Sequence, residues 1–164
     1  MLNLTSFPPI AKPDATTLIL GSMPGQRSLD QNQYYAHPRN AFWKIMSQLY
    51  DFDLDLIYEK RCEQLAKNKI ALWDVMQHCE RPGSLDSAIV SGSIIPNAFN
   101  AFFNSHSNIR RVFFNGRKAE DTFRRKVLPD LKVDIKLIAL PSTSPAHASL
   151  SFAQKLEAWK KLRK

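Results

Sequence analysis

Four short apolar runs set the strongest limit on how this chain can fold: Thr16–Leu20 (TTLIL), Ile70–Val75 (IALWDV), Arg111–Phe114 (RVFF) and Ile135–Leu140 (IKLIAL). Each is too short for a buried helix. Each is also too continuously apolar for a strand with one wet face, so each reads as a strand covered on both sides. Helix-like segments alternate with them, at Phe42–Tyr50, Leu56–Lys67, Pro96–Asn104, Arg117–Val127 and Phe152–Lys161. In the last of these, Phe152, Leu156 and Trp159 recur at i, i+4 and i+7, which makes one buried stripe beside a basic face. Strands alternating with helices predict an α/β fold whose parallel sheet is covered on both faces.

No repeat or linker divides the 164 residues, so residues 1–164 are expected to form a single domain. Apolar residues at 44% and charged residues at 23% suit a globular chain rather than a disordered one. No apolar run approaches the ~20 residues that span a bilayer. The opening MLNLTSFPPIAKPD lacks the basic-then-apolar pattern of a signal peptide, so the cytoplasm is the expected compartment.

The net charge of +8 favours polyanionic partners, of which nucleic acid is the commonest. Two cysteines, Cys62 and Cys79, form no CxxC pair, and His37, His78, His106 and His147 show no HExxH-like spacing. Two reduced thiols and no metal are therefore expected.

In open parallel sheets, ligands bind beyond the carboxyl ends of the strands. The four predicted strands are followed by GSMPGQRS (Gly21–Ser28), DVMQHCERPGSLD (Asp74–Asp86), NGRKAE (Asn115–Glu120) and PSTSPAHASLS (Pro141–Ser151). In the first, glycines flanking a proline let backbone approach a ligand closely, and their N–H groups can hold an anion or a carbonyl oxygen. A tight strand exit accounts for the same residues equally well. Asp74 and Asn115 place polar side chains at two strand ends, where either base reading or capping explains them. PSTSPAHAS offers Ser142, Thr143, Ser144 and His147 as donors to phosphate. His147 fits a phosphate contact, a catalytic electrophile or a solvated loop residue. In YYAHPRNAFWKI (Tyr34–Ile45), Asn40 sits where an N-cap belongs, and residue chemistry by itself favours that role.

Taken together and in order, these motifs resemble the uracil-DNA glycosylase superfamily. GxxPG after the first strand, HPxNxFWK opening the next helix and a Ser/Pro-rich loop after the last strand look like its mismatch-specific branch. The strings GSMPGQRSLDQNQYYAHPRNAFW, ALWDVMQHCERPGSLDSAI, FFNGRKAE and LPSTSPAHA look like its hypoxanthine-DNA (deoxyinosine) glycosylase branch. The resemblance runs from about Leu18 to the C-terminal helix. It implies a three-layer αβα fold with a short four-stranded parallel sheet. It also implies a monofunctional, cofactor-free hydrolysis of the N-glycosidic bond of hypoxanthine or uracil in base excision repair.

Where many members carry a polar water-positioning residue within GxxPG, this chain has Met23, whose thioether cannot serve. The branch implies that Asn40 takes over that function; among the loop donors His147 is the other candidate catalytic group. A base pocket is expected from Gly21, Ser22, Met23, Gly25, Tyr35, Phe42, Asp74 and Asn115, with Tyr34 a further stacking candidate. Ser142, Thr143, Ser144 and Ala146 are expected on DNA, with Leu150 as the wedge that fills the vacated stack. The expected partner is DNA carrying a deaminated base, bound by a monomer without membrane contact. The principal rival is a non-catalytic nucleic-acid-binding domain on the same scaffold; an enzyme on free nucleosides fits the +8 charge less well.

Overall fold

A computed structural model describes residues 3–164. In chain order the elements are β1 (Asn3–Thr5), β2 (Thr17–Gly21), α1 (Gln26–Gln31), α2 (Phe42–Tyr50), α3 (Tyr58–Lys67), β3 (Ile70–Asp74), β4 (Met76–Glu80), β5 (Ile95–Pro96), α4 (Phe99–Ser105), β6 (Arg111–Asn115), α5 (Arg117–Lys126), β7 (Lys136–Leu140) and α6 (Phe152–Trp159). All four predicted strands form within a residue of their expected ends. The expected helix Leu56–Lys67 starts later, at Tyr58, and Pro96–Asn104 becomes a two-residue strand followed by α4.

Strands β3-β2-β6-β7 make one parallel sheet in that order. Side chains alternate faces along a strand, and the core divides accordingly. Leu18, Leu20, Ala71, Trp73, Val112 and Phe114 face one way and pack with Phe99, Phe102 and Phe103 of α4 and Phe123 of α5. Ile19, Leu72 and Phe113 face the other way, onto Phe42, Trp43, Ile45 and Met46 of α2, Leu65 of α3 and Trp159 of α6. Two apolar faces on one sheet require two helical layers, and the three-layer αβα architecture follows.

A second, antiparallel sheet with order β1-β4-β5 was not anticipated. Its central strand MQHCE lies inside DVMQHCERPGSLD, the string after the second parallel strand, where the sequence predicts no further strand. Met76 and Cys79 are buried beneath Met23, Ile89 and Ile94, while Gln77 is exposed. A strand of such polar composition is held by its partners on both sides rather than by propensity.

The register places Gly21 opposite Asp74, and Asn115 opposite Leu140. The four parallel strands therefore end level, and their exits share one edge of the sheet.

Candidate active site

A cleft of about 680 Å³ opens over that edge. Its floor is formed where strand β2 leaves the sheet at Gly21. The Val75 N–H donates to the Gly21 carbonyl at 2.8 Å and the Met76 N–H to the Ser22 carbonyl at 3.1 Å, which continues the pairing past the strand end. Glycine at position 21 leaves room for two side chains of the floor. A Cβ there would lie 2.6 Å from Asp74 Oδ1 and 3.1 Å from the Tyr35 hydroxyl.

Asp74 is fully enclosed, and its Oδ2 has no hydrogen-bond partner among the described residues. Burial first, and the nearby Asp86 carboxyl second, push its pKa up to about 7, against the opposing charge of Arg81. Near neutrality this carboxyl is thus divided between acid and carboxylate. The Tyr35 hydroxyl beside it is likewise buried and makes no well-formed hydrogen bond. Burial and Asp74 together raise that phenol far above its ordinary range, so it stays a neutral O–H donor despite the Asn115 amide nearby.

Tyr35 adopts a left-handed backbone, φ 56°, costly for a bulky residue. Its ring stacks on Phe42 with centroids 4.1 Å apart. Phe42 is itself wholly buried, so it backs the wall that Tyr35 presents instead of forming that wall. Tyr34 turns into the core and donates its hydroxyl to the Pro8 carbonyl.

The loop after β4 closes one side. Arg81, 1% exposed, donates to the carbonyls of Gly83 at 2.7 Å and Pro24 at 2.8 Å, while its Nη1 is buried without a partner. Ser22 Oγ donates to Asp86 Oδ1 at 2.6 Å, and the Gln26 N–H donates to Ser84 Oγ at 2.9 Å. These bonds join GSMPG to RPGSLD. Of five buried side-chain atoms without partners among the described residues, three belong to Tyr35, Asp74 and Arg81. Buried polar groups are seldom left unpaired; the Tyr35 and Asp74 groups lie at the cleft floor, while Arg81 stands behind the lining.

The opposite side is built on the segment before α2. Asn40 Oδ1 accepts from the Phe42 N–H at 3.0 Å, and the Asn40 N–H donates to the His37 carbonyl at 2.9 Å. The cap expectation is met one residue early: Ala41 is the formal N-cap, and Asn40 supplies the side-chain bond from just outside it. Its Nδ2 and the second lone pair of Oδ1 remain available in the cleft. The Ala41 N–H donates to the Thr143 carbonyl at 3.0 Å, tying this turn to the loop after β7.

That loop is anchored at several points. Asn115 and Thr143 bond reciprocally, Nδ2 to Oγ1 and the Thr143 N–H to Oδ1, both at 2.9 Å. Asn115 therefore works mainly as a latch for the loop. Gly116 takes φ 96° against Ser142, whose Cβ would lie 3.0 Å from any Cβ there. Behind the loop, Trp159 Nε1 donates to the Pro141 carbonyl and buried Lys155 Nζ to the Ser144 carbonyl. Helix α6, which carries both, begins with a reciprocal capping box between Ser151 and Gln154.

Of the residues expected from sequence, Gly21, Ser22, Met23, Gly25, Tyr35, Asn40, Asp74, Asn115, Ser142, Thr143, Ser144, Ala146 and His147 all line this cleft. Met23 is only 6% exposed and packs into the small core under the second sheet, so it offers no polar group there. Phe42 stands one layer behind. Leu150 lines a neighbouring depression and not the cleft, because the chain turns away into the cap of α6. Asp86, Arg81 and Lys118 were not foreseen. A second carboxylate in GSLD was a usable sign, but nothing in ERPG announces a buried arginine. Arg27, Arg39, Arg117 and Lys118 line the cleft as well, giving cationic walls around an acidic floor.

The profile described as Uracil DNA glycosylase superfamily matches residues 8–163. A Hypoxanthine DNA glycosylase of Methanosarcina barkeri is 40% identical over 114 residues, 69% of this chain and 71% of that protein. Another, of Methanosarcina acetivorans, is 36% identical over 146 residues, 88% of this chain and 89% of that protein. The solution NMR structure of a candidate uracil DNA glycosylase from Methanosarcina acetivorans superposes with a TM-score of 0.79. It is 30% identical, and the match covers 99% of this chain and 100% of that one. With the strand-end cleft, the glycine floor and nearly the whole length matched, the chain belongs to the uracil DNA glycosylase superfamily.

Proposed function

We propose that this protein is a monofunctional DNA glycosylase, acting as a cytoplasmic monomer, that extrudes a deaminated base, hypoxanthine foremost, and hydrolyses its N-glycosidic bond. The observation that carries this reading is the set of unpaired buried groups on Asp74 and Tyr35, opposite an anchored Asn40, in one cleft with cationic walls. The hypoxanthine choice rests on the names of the two Methanosarcina relatives. Among the described residues no helix is long and apolar enough to cross a membrane.

A base stacked in a duplex hides its glycosidic bond, so the nucleotide swings out into a pocket. Tyr35, braced by Phe42, is the stacking wall. Hypoxanthine and uracil both carry a ring N–H beside a carbonyl. The acid form of Asp74 complements that edge, donating O–H to the carbonyl and accepting from the N–H through its other oxygen. Tyr35 adds a second neutral donor.

As the C1′–N bond breaks, its electron pair passes to the base and positive charge grows on the sugar. Donors at the base oxygen therefore strengthen along the reaction, which is where binding lowers the barrier. Asn40 orients a water toward C1′, donating from Nδ2 or accepting at Oδ1. The water oxygen bonds to C1′, and its spare proton leaves to solvent or to the departing base. His147, half-buried in the same cleft, faces the leaving group or its flanking phosphate, with Ser142 and Ser144 beside it.

Duplexes carrying hypoxanthine, uracil or xanthine, incubated with protein and then cleaved at abasic sites with alkali, test this directly. Scission at hypoxanthine by wild type, and its loss in Asn40→Ala with DNA binding retained, are the expected results. No scission on any duplex favours the non-catalytic binding domain instead, and full activity of Asn40→Ala removes that residue from the chemistry.

A further inference from the structure

Beside the cleft lies a second depression of about 640 Å³, which shares Tyr35, His37, Arg39 and Asn40 with it. Its remaining wall comes from α2, α3 and the start of α6. Among the residues lining it are Arg39, Lys44, Arg61 and Lys155, and no aspartate or glutamate. Elsewhere Lys60, Arg124 and Lys160 pair with Glu63, Glu120 and Glu157, whereas the cations of this lining have no carboxylate beside them in it.

Two of these cations, Lys44 and Arg61, rest on aromatic rings, while Lys155 is bonded to the Ser144 carbonyl. Lys44 Nζ sits 4.2 Å from the Phe152 ring centre, and the Arg61 guanidinium 4.7 Å from that of Trp43. Arg61 Nε is buried without a hydrogen-bond partner. A cation resting on a ring face is positioned yet keeps its full charge for a further anion, which a salt bridge would neutralise. Those same contacts cover the aromatic faces, so the depression suits phosphate better than a stacked base.

We propose that this depression carries the sugar–phosphate backbone of the lesion strand on one flank of the extruded nucleotide, with Lys44 and Arg61 each meeting a phosphate. This rests on the glycosylase reading for the identity of the strand, and the continuity through Arg39 and Asn40 sets where the strand enters. Leu150, which lines this depression and not the base cleft, then packs against the flanking sugar instead of filling the vacated stack.

The test is the salt dependence of binding to a duplex with a stable abasic analogue at its centre, which needs no chemistry. Each phosphate contact contributes ~0.9 to the slope of log K against log salt on duplex DNA. Lys44→Gln and Arg61→Gln are each expected to lower the slope by about that amount and to weaken binding several-fold at ~0.1 M salt. Lys60→Gln, outside the depression, is expected to keep the wild-type slope. Lys44 is exposed, so its variant decides the matter if Arg61→Gln, which also loses contact with Trp43, fails to fold. Unchanged slopes in Lys44→Gln and Arg61→Gln overturn the backbone path and leave the cations to an acidic protein partner. If wild type binds with these slopes but never releases a base, the path stands and the glycosylase reading falls.

Discussion

Replacing Asp74 with asparagine removes an ionisable group from the cleft floor while preserving shape and both hydrogen-bonding directions. In the native state the carboxyl titrates at about 7 instead of its ordinary 3.8. Below 3.8 the folded and unfolded forms are both protonated, and the group adds nothing to stability. Between 3.8 and about 7 the folded form holds the proton and the unfolded form does not, so stability falls as pH rises. Above about 7 both are ionised and the penalty is constant. At ~1.4 kcal/mol per pH unit the full penalty has a ceiling of ~4 kcal/mol, of which ~2–3 accrues between pH 5 and 7. Urea melts of wild type and Asp74→Asn across pH 5 to 8 measure this. The variant's advantage should grow through that window and level off near neutrality. A difference constant to within ~0.5 kcal/mol refutes the burial-driven shift.

The same substitution has an activity readout. If the acid form of Asp74 grips the base edge, wild-type kcat/KM declines above about pH 7 as the carboxyl ionises. Asparagine donates and accepts at every pH, so Asp74→Asn retains excision and loses the alkaline decline. An unchanged alkaline limb in the variant assigns that limb to another group.

Gly21→Ala places a methyl 2.6 Å from Asp74 Oδ1, and steric overpacking of ~1–3 kcal/mol plus a sharp loss of excision is expected by thermal melt and cleavage assay. Gly25→Ala, whose Cβ meets nothing closer than 3.9 Å, should leave stability nearly unchanged. Thr143→Val strands the buried Nδ2 of Asn115, with an expected loss of ~1–3 kcal/mol; wild-type stability would show that the latch carries no weight. Arg81→Met takes away the charge that opposes the rise at Asp74, so the alkaline limb should move to higher pH. A limb moving to lower pH contradicts the placement of Arg81.

Much of the architecture was legible in the chain because burial on both faces leaves a local signature. TTLIL, IALWD and RVFF cannot be wetted on either side, and a sheet with two apolar faces needs two layers of helix. The strand-end rule then pointed at Gly21, Asp74, Asn115 and the PSTSPAHAS loop, and all four meet at the cleft. The second sheet was hidden because MQHCE becomes a strand only through pairing with Asn3–Thr5 and Ile95–Pro96.

What the residues determined by themselves was therefore the layering, the edge that carries the site, and the absence of a polar group at Met23. What only the tertiary structure decided was the work done by each side chain. Asn115 turns to latch Thr143, Phe42 stands behind Tyr35, Leu150 faces the neighbouring depression, and Arg81 goes inside to hold Pro24. The titration of Asp74 belongs to the same class. Desolvation and through-space charge depend on distances between residues remote in sequence, such as Asp74, Arg81, Asp86 and Tyr35. No local pattern encodes those distances.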